Sequence, residues 1–254
     1  MNGIPIYQLV SSRCDVTEAP LPYSPTCWME EMPPPPDVDA AHEGVACEAS
    51  PAELALVREE LGFVPNNLVR VSAFVDGEGS PTAQEQTDQT AATRRPAVLL
   101  LYPLRNAEDA YKKKQRAKME PFPTIYWLAS SELKARVSTL EDQQFVLELQ
   151  RRLDASDVAK QVGLQWERLK MAESHREYAA QRWRMLTPHD RELVTSRRWE
   201  FFLRDVGIAG IRDFTAVKCL HTHYAHYLAT RNNLIGQWVQ ELLDEAAGRT
   251  EEAQ

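Results

Sequence analysis

Pro121-Phe122-Pro123-Thr124-Ile125-Tyr126-Trp127-Leu128 is the stretch on which the fold class turns. Aromatic and β-branched residues follow two prolines, which suits a strand whose start is marked by residues unable to donate to a ladder. Two upstream segments read the same way. In Leu68–Val75, Val69, Val71, Ala73 and Val75 alternate with Leu68, Arg70, Ser72 and Phe74, the period of two of a strand. Residues 96–102 contain Ala-Val-Leu-Leu-Leu-Tyr, short and apolar throughout, which predicts a buried strand. Downstream of Leu128 the period changes. Residues 131–152 carry two short helical patterns, and a long helix is expected over about 157–186. Thr187-Pro188-His189-Asp190 resembles a capping box with Asp in the Glu/Gln position, so a further helix starts there. Gly207-Ile208-Ala209-Gly210 ends it, and Asp213 or Thr215 caps the next, which runs to about residue 229. Ile235, Trp238, Val239 and Leu242 then mark a last helix. Strands first and helices second predict an α+β fold: a small, mainly antiparallel sheet of about three strands followed by a helical C-terminal half.

Working outward to the N-terminus, Ser50-Pro51-Ala52-Glu53 is a capping box with proline at the first helical position. Leu54, Val57 and Leu61 share a face of this helix, and Gly62 suits its C-terminal turn. The remaining organisation follows from charge. The chain has 254 residues, 29 Lys+Arg and 37 Asp+Glu, a formal net charge of −8. Residues 1–60 hold 2 basic and 11 acidic side chains, whereas residues 61–254 hold 27 and 26. Nine of the 16 prolines also fall before residue 61. The acidity therefore belongs to a proline-rich leader, residues 1–49, in which Pro33–Pro36 favours polyproline II. A single domain is expected over 50–246 and a polar tail over 247–254, with a polar loop at 76–92. No apolar run approaches the ~20 residues of a membrane span. Residues 1–10 lack a signal-peptide pattern, the leader lacks the arginines of a transit peptide, and four cysteines do not make a disulfide framework. A cytoplasmic protein without a membrane partner is the expectation.

Four stretches together carry a resemblance. They are Leu61-Gly62-Phe63-Val64-Pro65-Asn66-Asn67; Pro121–Leu128 with Ser138-Thr139-Leu140-Glu141; His175-Arg176-Glu177-Tyr178 with Arg182; and Val217-Lys218-Cys219-Leu220-His221 with Ala225-His226-Tyr227-Leu228-Ala229. Over about residues 52–245 the chain resembles the domain-of-unknown-function 501 family, a mostly bacterial group. Asn233-Leu234-Ile235-Gly236 departs from the Asn-Pro-x-Gly that the family tends to carry. The resemblance implies a fold and a set of positions, not an activity.

Chemistry-bearing residues cluster in those positions. Three of the six histidines, His221, His223 and His226, lie within six residues. A helix over 217–228 would place Val217, Leu220, His221, Tyr224 and Leu228 on one face. Cys219, His223 and His226 would share the other, at i, i+4 and i+7. Thiolate and imidazole at that spacing suit zinc. With no CxxC or HExxH motif, buried structural roles for these side chains outweigh the metal, and the cofactor stays open. His221, on the apolar side, reads as a buried histidine that orients a neighbour or acts as a base.

His175, Tyr178 and Arg182 form a second stripe on the long helix, at i, i+3 and i+7. A proton-transfer group, a phenol and a fixed cation in line make either an anion-binding surface or an ordinary polar face packed on a neighbour. Packing this helix on the histidine-rich one would bring both groups to one cleft. Cys219 would be the nucleophile, His221 and His175 the candidate bases, and Lys218, Arg182 and Tyr178 the holders of a small-molecule anion such as a phosphate or carboxylate. A hydrolase or transferase is the first expectation. The rival is a non-catalytic binding or assembly protein that uses the basic loop 94–118 to hold RNA or a protein. There Arg94, Arg95, Arg105, Lys112, Lys113, Lys114, Arg116 and Lys118 oppose only Glu108 and Asp109. The near-neutral body counts against nucleic acid, and the loop could equally receive the acidic leader.

Overall fold

The computed structural model describes residues 49–75, 81–82, 94–107, 118–158 and 166–251. Most of the leader, most of the polar loop at 76–92, and Lys112–Lys114 with Arg116 lie outside them. Helix α1 (Pro51–Leu61) begins with the expected capping box: the Ser50 hydroxyl accepts from the Glu53 N–H, and the Glu53 carboxylate accepts from the Ser50 N–H. Gly62 closes it with φ +79°, a left-handed turn that costs glycine no Cβ clash.

Strands β1 (Leu68–Val75), β2 (Pro81–Thr82), β3 (Arg95–Leu101) and β6 (Tyr126–Leu128) form an antiparallel sheet in the order β2-β1-β3-β6. β4 (Leu104–Ala107) and β5 (Lys118–Pro121) form a separate two-stranded sheet. The expected strand over 121–128 is thus divided. Pro121 ends β5 against Leu104, residues 122–125 are irregular, and only Tyr126–Leu128 joins β3. Pro121 and Pro123 lack the N–H groups that a continuous ladder needs.

The sheet is covered on both faces, which accounts for the unbroken apolar run of β3. Val57 of α1 packs with Leu68, Val71, Leu99 and Leu101 on one face. Val69, Ala73, Val75, Val98 and Leu100 face the C-terminal helices on the other. The strict alternation expected for β1 fails at Val71, which joins the α1 side. Register shifts between Leu68 and Arg70, Val71 and Ala73, and Ala73 and Phe74 break the strict period there.

The helices follow in order: α2 (Ser131–Asp142), α3 (Phe145–Val158), α4 (Trp166–Arg184), α5 (Pro188–Ser196), a π-turn (Phe201–Asp205), a 3₁₀ turn (Ile208–Gly210), α6 (Leu220–Thr230) and α7 (Leu234–Glu251). The α5 cap departs from a full box. Thr187 Oγ1 accepts from the Asp190 N–H, but the Thr187 N–H donates to the Tyr102 hydroxyl. That hydroxyl in turn donates to Asp190. Ile235, Trp238, Val239 and Leu243 carry the buried stripe of α7. None of the described helices is long and apolar enough to cross a membrane.

The helix expected from Asp213 or Thr215 starts later. Asp213 instead accepts from the Thr215 N–H and hydroxyl, closing a local turn. The Val217 N–H donates to the Gln150 side chain and the Leu220 N–H to Glu141, both at 2.7 Å. Main-chain donors that would have propagated a helix are thereby spent on α2 and α3. Cys219 is left extended as the residue before α6, with φ −111° and ψ 115°.

Candidate functional site

The late start of α6 decides which residues meet. With Cys219 off the helix, the expected Cys219–His223–His226 stripe does not exist. His223 and His226 turn inward, 1% and 2% exposed. They flank Asn233, whose Nδ2 lies 3.1 Å from His226 Nδ1 and 3.3 Å from His223 Nδ1. Asn233 Oδ1 accepts from the Gly236 N–H and so caps α7. The correction extends to His221. It was expected to be buried on the apolar side, yet its side chain is 25% exposed.

His175, Tyr178 and Arg182 do share a face of α4, but that face is core. All three are fully buried. The Ile208 N–H donates to His175 Nδ1 at 3.0 Å, which leaves the ring neutral with its proton on Nε2. Gly207 sits against this ring so closely that a Cβ there would overlap it. The Tyr178 hydroxyl accepts from the Ile125 N–H at 2.8 Å. Arg182 donates to the carbonyls of Pro123, Leu203 and Val206. Its guanidinium is held by the fold's own main chain, and burial lowers its pKa to about 10, which keeps it charged. Burial also moves His175 down to about 2, His223 to about 4 and His226 to about 3, so all three imidazoles are neutral. Lys218 is exposed and does not line the cavity described next. The single cleft expected to unite both groups is therefore not formed.

A different partner joins Cys219 and His221: Glu141, from α2. Thiol, imidazole and carboxylate ligand atoms all lie within 4.8 Å of one another. Lys134, Ser138 and Glu141 recur at i, i+4 and i+7 on α2, a spacing that stacks them along one side of the helix. His221 Nδ1 lies 3.2 Å from Glu141 Oε1, and Nε2 lies 3.2 Å from both the Lys134 carbonyl and Ser138 Oγ. Carboxylate and carbonyl oxygens only accept, so both ring nitrogens are called on to donate. The imidazole is accordingly stabilised as a cation. The Cys219 hydrogen bond, opposed by burial and assisted by Glu141, lifts its pKa to about 9. For Cys219, burial works against ionisation, but hydrogen bonds from His221 and Thr222 outweigh it and hold the thiol below its usual range. Its place at the N-terminal end of α6 acts in the same direction.

Cys219 and His221, but not Glu141, line a cavity of about 280 Å³ shared with Thr124, Tyr126, Trp127, Leu128, Lys134 and Thr222. Glu141 was not singled out by the sequence reading, although Ser138–Glu141 lay among the quoted stretches. What was missing was the long-range pairing of α2 with the start of α6. Glu141, Cys219 and His221 are also, among the described residues, a group with the spacing and donor types to hold one metal ion.

Of the basic stretch 94–118, the described arginines are engaged within the domain. Arg94 lies over the Phe74 ring, Arg95 pairs with Glu132, and Arg105 pairs with Glu120 and lies over Phe122.

Residues 88–241 match a family described as a protein of unknown function, DUF501. No curated protein and no solved structure matches the chain.

Proposed function

Because the chain belongs to the DUF501 family, and because Glu141, Cys219 and His221 all fall within the matched region, we propose that these three residues form the active site of a hydrolase or transferase working by covalent nucleophilic catalysis. The observation that carries this reading is the thiol–imidazole pair at the wall of a cavity, with the Glu141 carboxylate behind the imidazole. A thiolate is the reactive form of cysteine, and an adjacent imidazolium keeps it ionised near neutral pH. Cys219 attacks an electrophilic carbon bound in the cavity. His221 donates its proton to the leaving group and then takes one from the attacking water or acceptor. Glu141 holds the ring in line and favours its charged form. Tyr126, Trp127 and Leu128 supply an apolar wall.

The test is the pH dependence of Cys219 alkylation by iodoacetamide, followed by mass spectrometry with Cys219→Ser as background. Cys219 is expected to react with an apparent pKa below the ~8.5 of a free thiol, and His221→Gln is expected to raise that value. An ordinary thiol profile that His221→Gln leaves unmoved would remove the proposal. So would stoichiometric metal in the purified protein that protects Cys219 until it is chelated.

A further inference from the structure

Lys134 lines the same cavity as Cys219 and His221. It is the fourth residue of α2, and its carbonyl lies 3.2 Å from His221 Nε2, so the backbone holds it beside the imidazole. A cation at the start of a helix opposes the helix dipole, and a carboxylate three or four residues away would offset that cost. Those positions are Ser130, Ser131, Val137 and Ser138. The carboxylates around α2 are engaged elsewhere. Glu132 pairs with Arg95 at 2.6 Å, Glu60 accepts from the Ser131 N–H and hydroxyl, and Glu141 serves His221 and the Leu220 N–H. Among the described residues, no carboxylate pairs with the Lys134 ammonium. The cavity is also reachable. Tyr126 and Leu128, 4% and 2% exposed, back it, whereas Lys134, Cys219, His221, Trp127 and both threonines are partly exposed.

An unpaired cation beside a nucleophile has a specific complement. No Asp or Glu lines the cavity. The Cys219 thiolate and the His221 imidazolium cancel, so Lys134 leaves the cavity with one positive charge to be balanced. Resting on the active-site reading above, we infer that the substrate is a small carboxylate, its anionic group held by the Lys134 ammonium while an amide or ester carbon elsewhere in the same molecule meets Cys219 Sγ. A phosphate dianion would bring one negative charge more than the cavity balances, next to a thiolate. The volume of about 280 Å³ lies at the lower end of small-molecule sites and suits a compact metabolite. Thr124 and Thr222 add hydroxyl groups to the lining, and Trp127 an apolar side. In the first step the Sγ–C bond forms, the amide C–N or ester C–O bond breaks, and the departing atom takes the proton of His221. In the second step water attacks the thioester, gives a proton to His221, and displaces the Cys219 thiolate. The balance is amide plus water to acid plus amine, or ester plus water to acid plus alcohol. When an amine replaces water, the acyl group is transferred to it.

The test uses the full-length protein and two alkylating probes of nearly equal size, iodoacetate and iodoacetamide, which differ in carrying a carboxylate or a neutral amide. The readout is the ratio of their rates at Cys219, followed by mass spectrometry with Cys219→Ser as control. A change in thiolate fraction moves both rates together and cancels in the ratio, so the ratio reads the anion site alone. Lys134→Gln is expected to lower it about tenfold, the worth of one charge-assisted hydrogen bond. Lys134→Met, which keeps the aliphatic stem, should do the same, and Lys134→Arg should retain most of the parent ratio. A ratio that neither neutral variant lowers overturns the carboxylate inference. So does inorganic phosphate that, at fixed ionic strength, slows the iodoacetate reaction of the parent but not of Lys134→Gln, because the site would then be one for phosphate. A low apparent pKa in the iodoacetamide profile would in either case still stand for the active-site reading. An ordinary thiol profile that His221→Gln leaves unmoved overturns both.

Discussion

At the carboxylate of Glu141, one oxygen serves two groups at the start of α6. Oε1 accepts from the Leu220 N–H at 2.7 Å and lies 3.2 Å from His221 Nδ1. It thus fastens the start of α6 and biases the imidazole toward its charged form. Glu141→Gln keeps an acceptor for the Leu220 N–H but removes the negative charge. The His221 pKa, now about 9, is then expected to fall toward the ~6.5 of a free imidazole. The direct readout is the His221 ring titration by NMR in the Gln variant and the parent. An unchanged midpoint would show that Cys219 alone charges the ring. Any activity that needs the thiolate–imidazolium pair should lose its alkaline limb earlier in the variant, since the falling limb reports His221 deprotonation. The sign of the stability effect follows from the same shift. A raised folded pKa stabilises the protein below pH ~6.5, and that contribution disappears as pH climbs through about 9.

Between elements, Arg182 does the joining. From α4 its guanidinium reaches the carbonyl of Pro123 ahead of β6, and those of Leu203 and Val206 around the π-turn. Tyr178, one turn earlier, receives the Ile125 N–H. The segment that leads into the cavity wall is therefore clamped from beneath by two side chains that never reach the cavity. Arg182→Met fills similar space but leaves three carbonyls without donors, at about 1–3 kcal/mol each before relaxation. A loss of about 3–5 kcal/mol in denaturant unfolding is expected, with Cys219 alkylation preserved in the fraction that stays folded. Selective loss of Cys219 reactivity without destabilisation would instead place Arg182 in the chemistry. These two residues also show where sequence reading stops. Their shared stripe on α4 was legible from spacing, as were the capping box at Ser50, the run of β3 and the order of strands and helices. A buried arginine satisfied by carbonyls has the same pattern as a surface arginine, because its partners lie 21 to 59 residues away. For the same reason the Val217–Ala229 stretch located Cys219 and His221 while assigning them the wrong faces. Side chains of Gln150 and Glu141 delay the helix, and local propensity does not record them.

Across the whole domain, the titration of the core sets the acid limit. His175, His223 and His226 come from two helices and converge in one place. The His175 and His223 rings meet edge to face at 5.5 Å, and His226 lies 5.3 Å from Tyr178 and 5.5 Å from Tyr126. Phe214 stacks on His175 at 5.1 Å. Arg182 lies over the Tyr178 ring, and Arg176 further disfavours protonation of His175. Asn233 offers the pair on α6 a neutral amide, which weakly favours charge on His223 but does not overcome burial. Each ring titrates at about 6.5 in the unfolded chain. In the folded protein the values lie at about 2 for His175, 4 for His223 and 3 for His226. Between those limits the unfolded state binds more protons, so stability is complete above pH ~6.5 and declines as pH falls. Each histidine contributes at most about 1.4 kcal/mol per pH unit in that window. Urea unfolding between pH 8 and pH 4 is expected to show a steepening loss that begins near pH 6.5, above the range where carboxylates titrate. His223→Gln and His226→Gln each remove one titrating base. The slope between pH 6 and 5 should fall in each variant, whatever its starting stability. A slope that both glutamine variants leave unchanged would mean that the acid limit is set by carboxylates. His221 behaves in the opposite sense, because Cys219 and Glu141 raise its pKa where burial lowers the others. The same residue type on one helix, α6, therefore bounds stability from below pH 6.5 through His223 and His226, and bounds the thiolate–imidazolium pair from above, near pH 9, through His221.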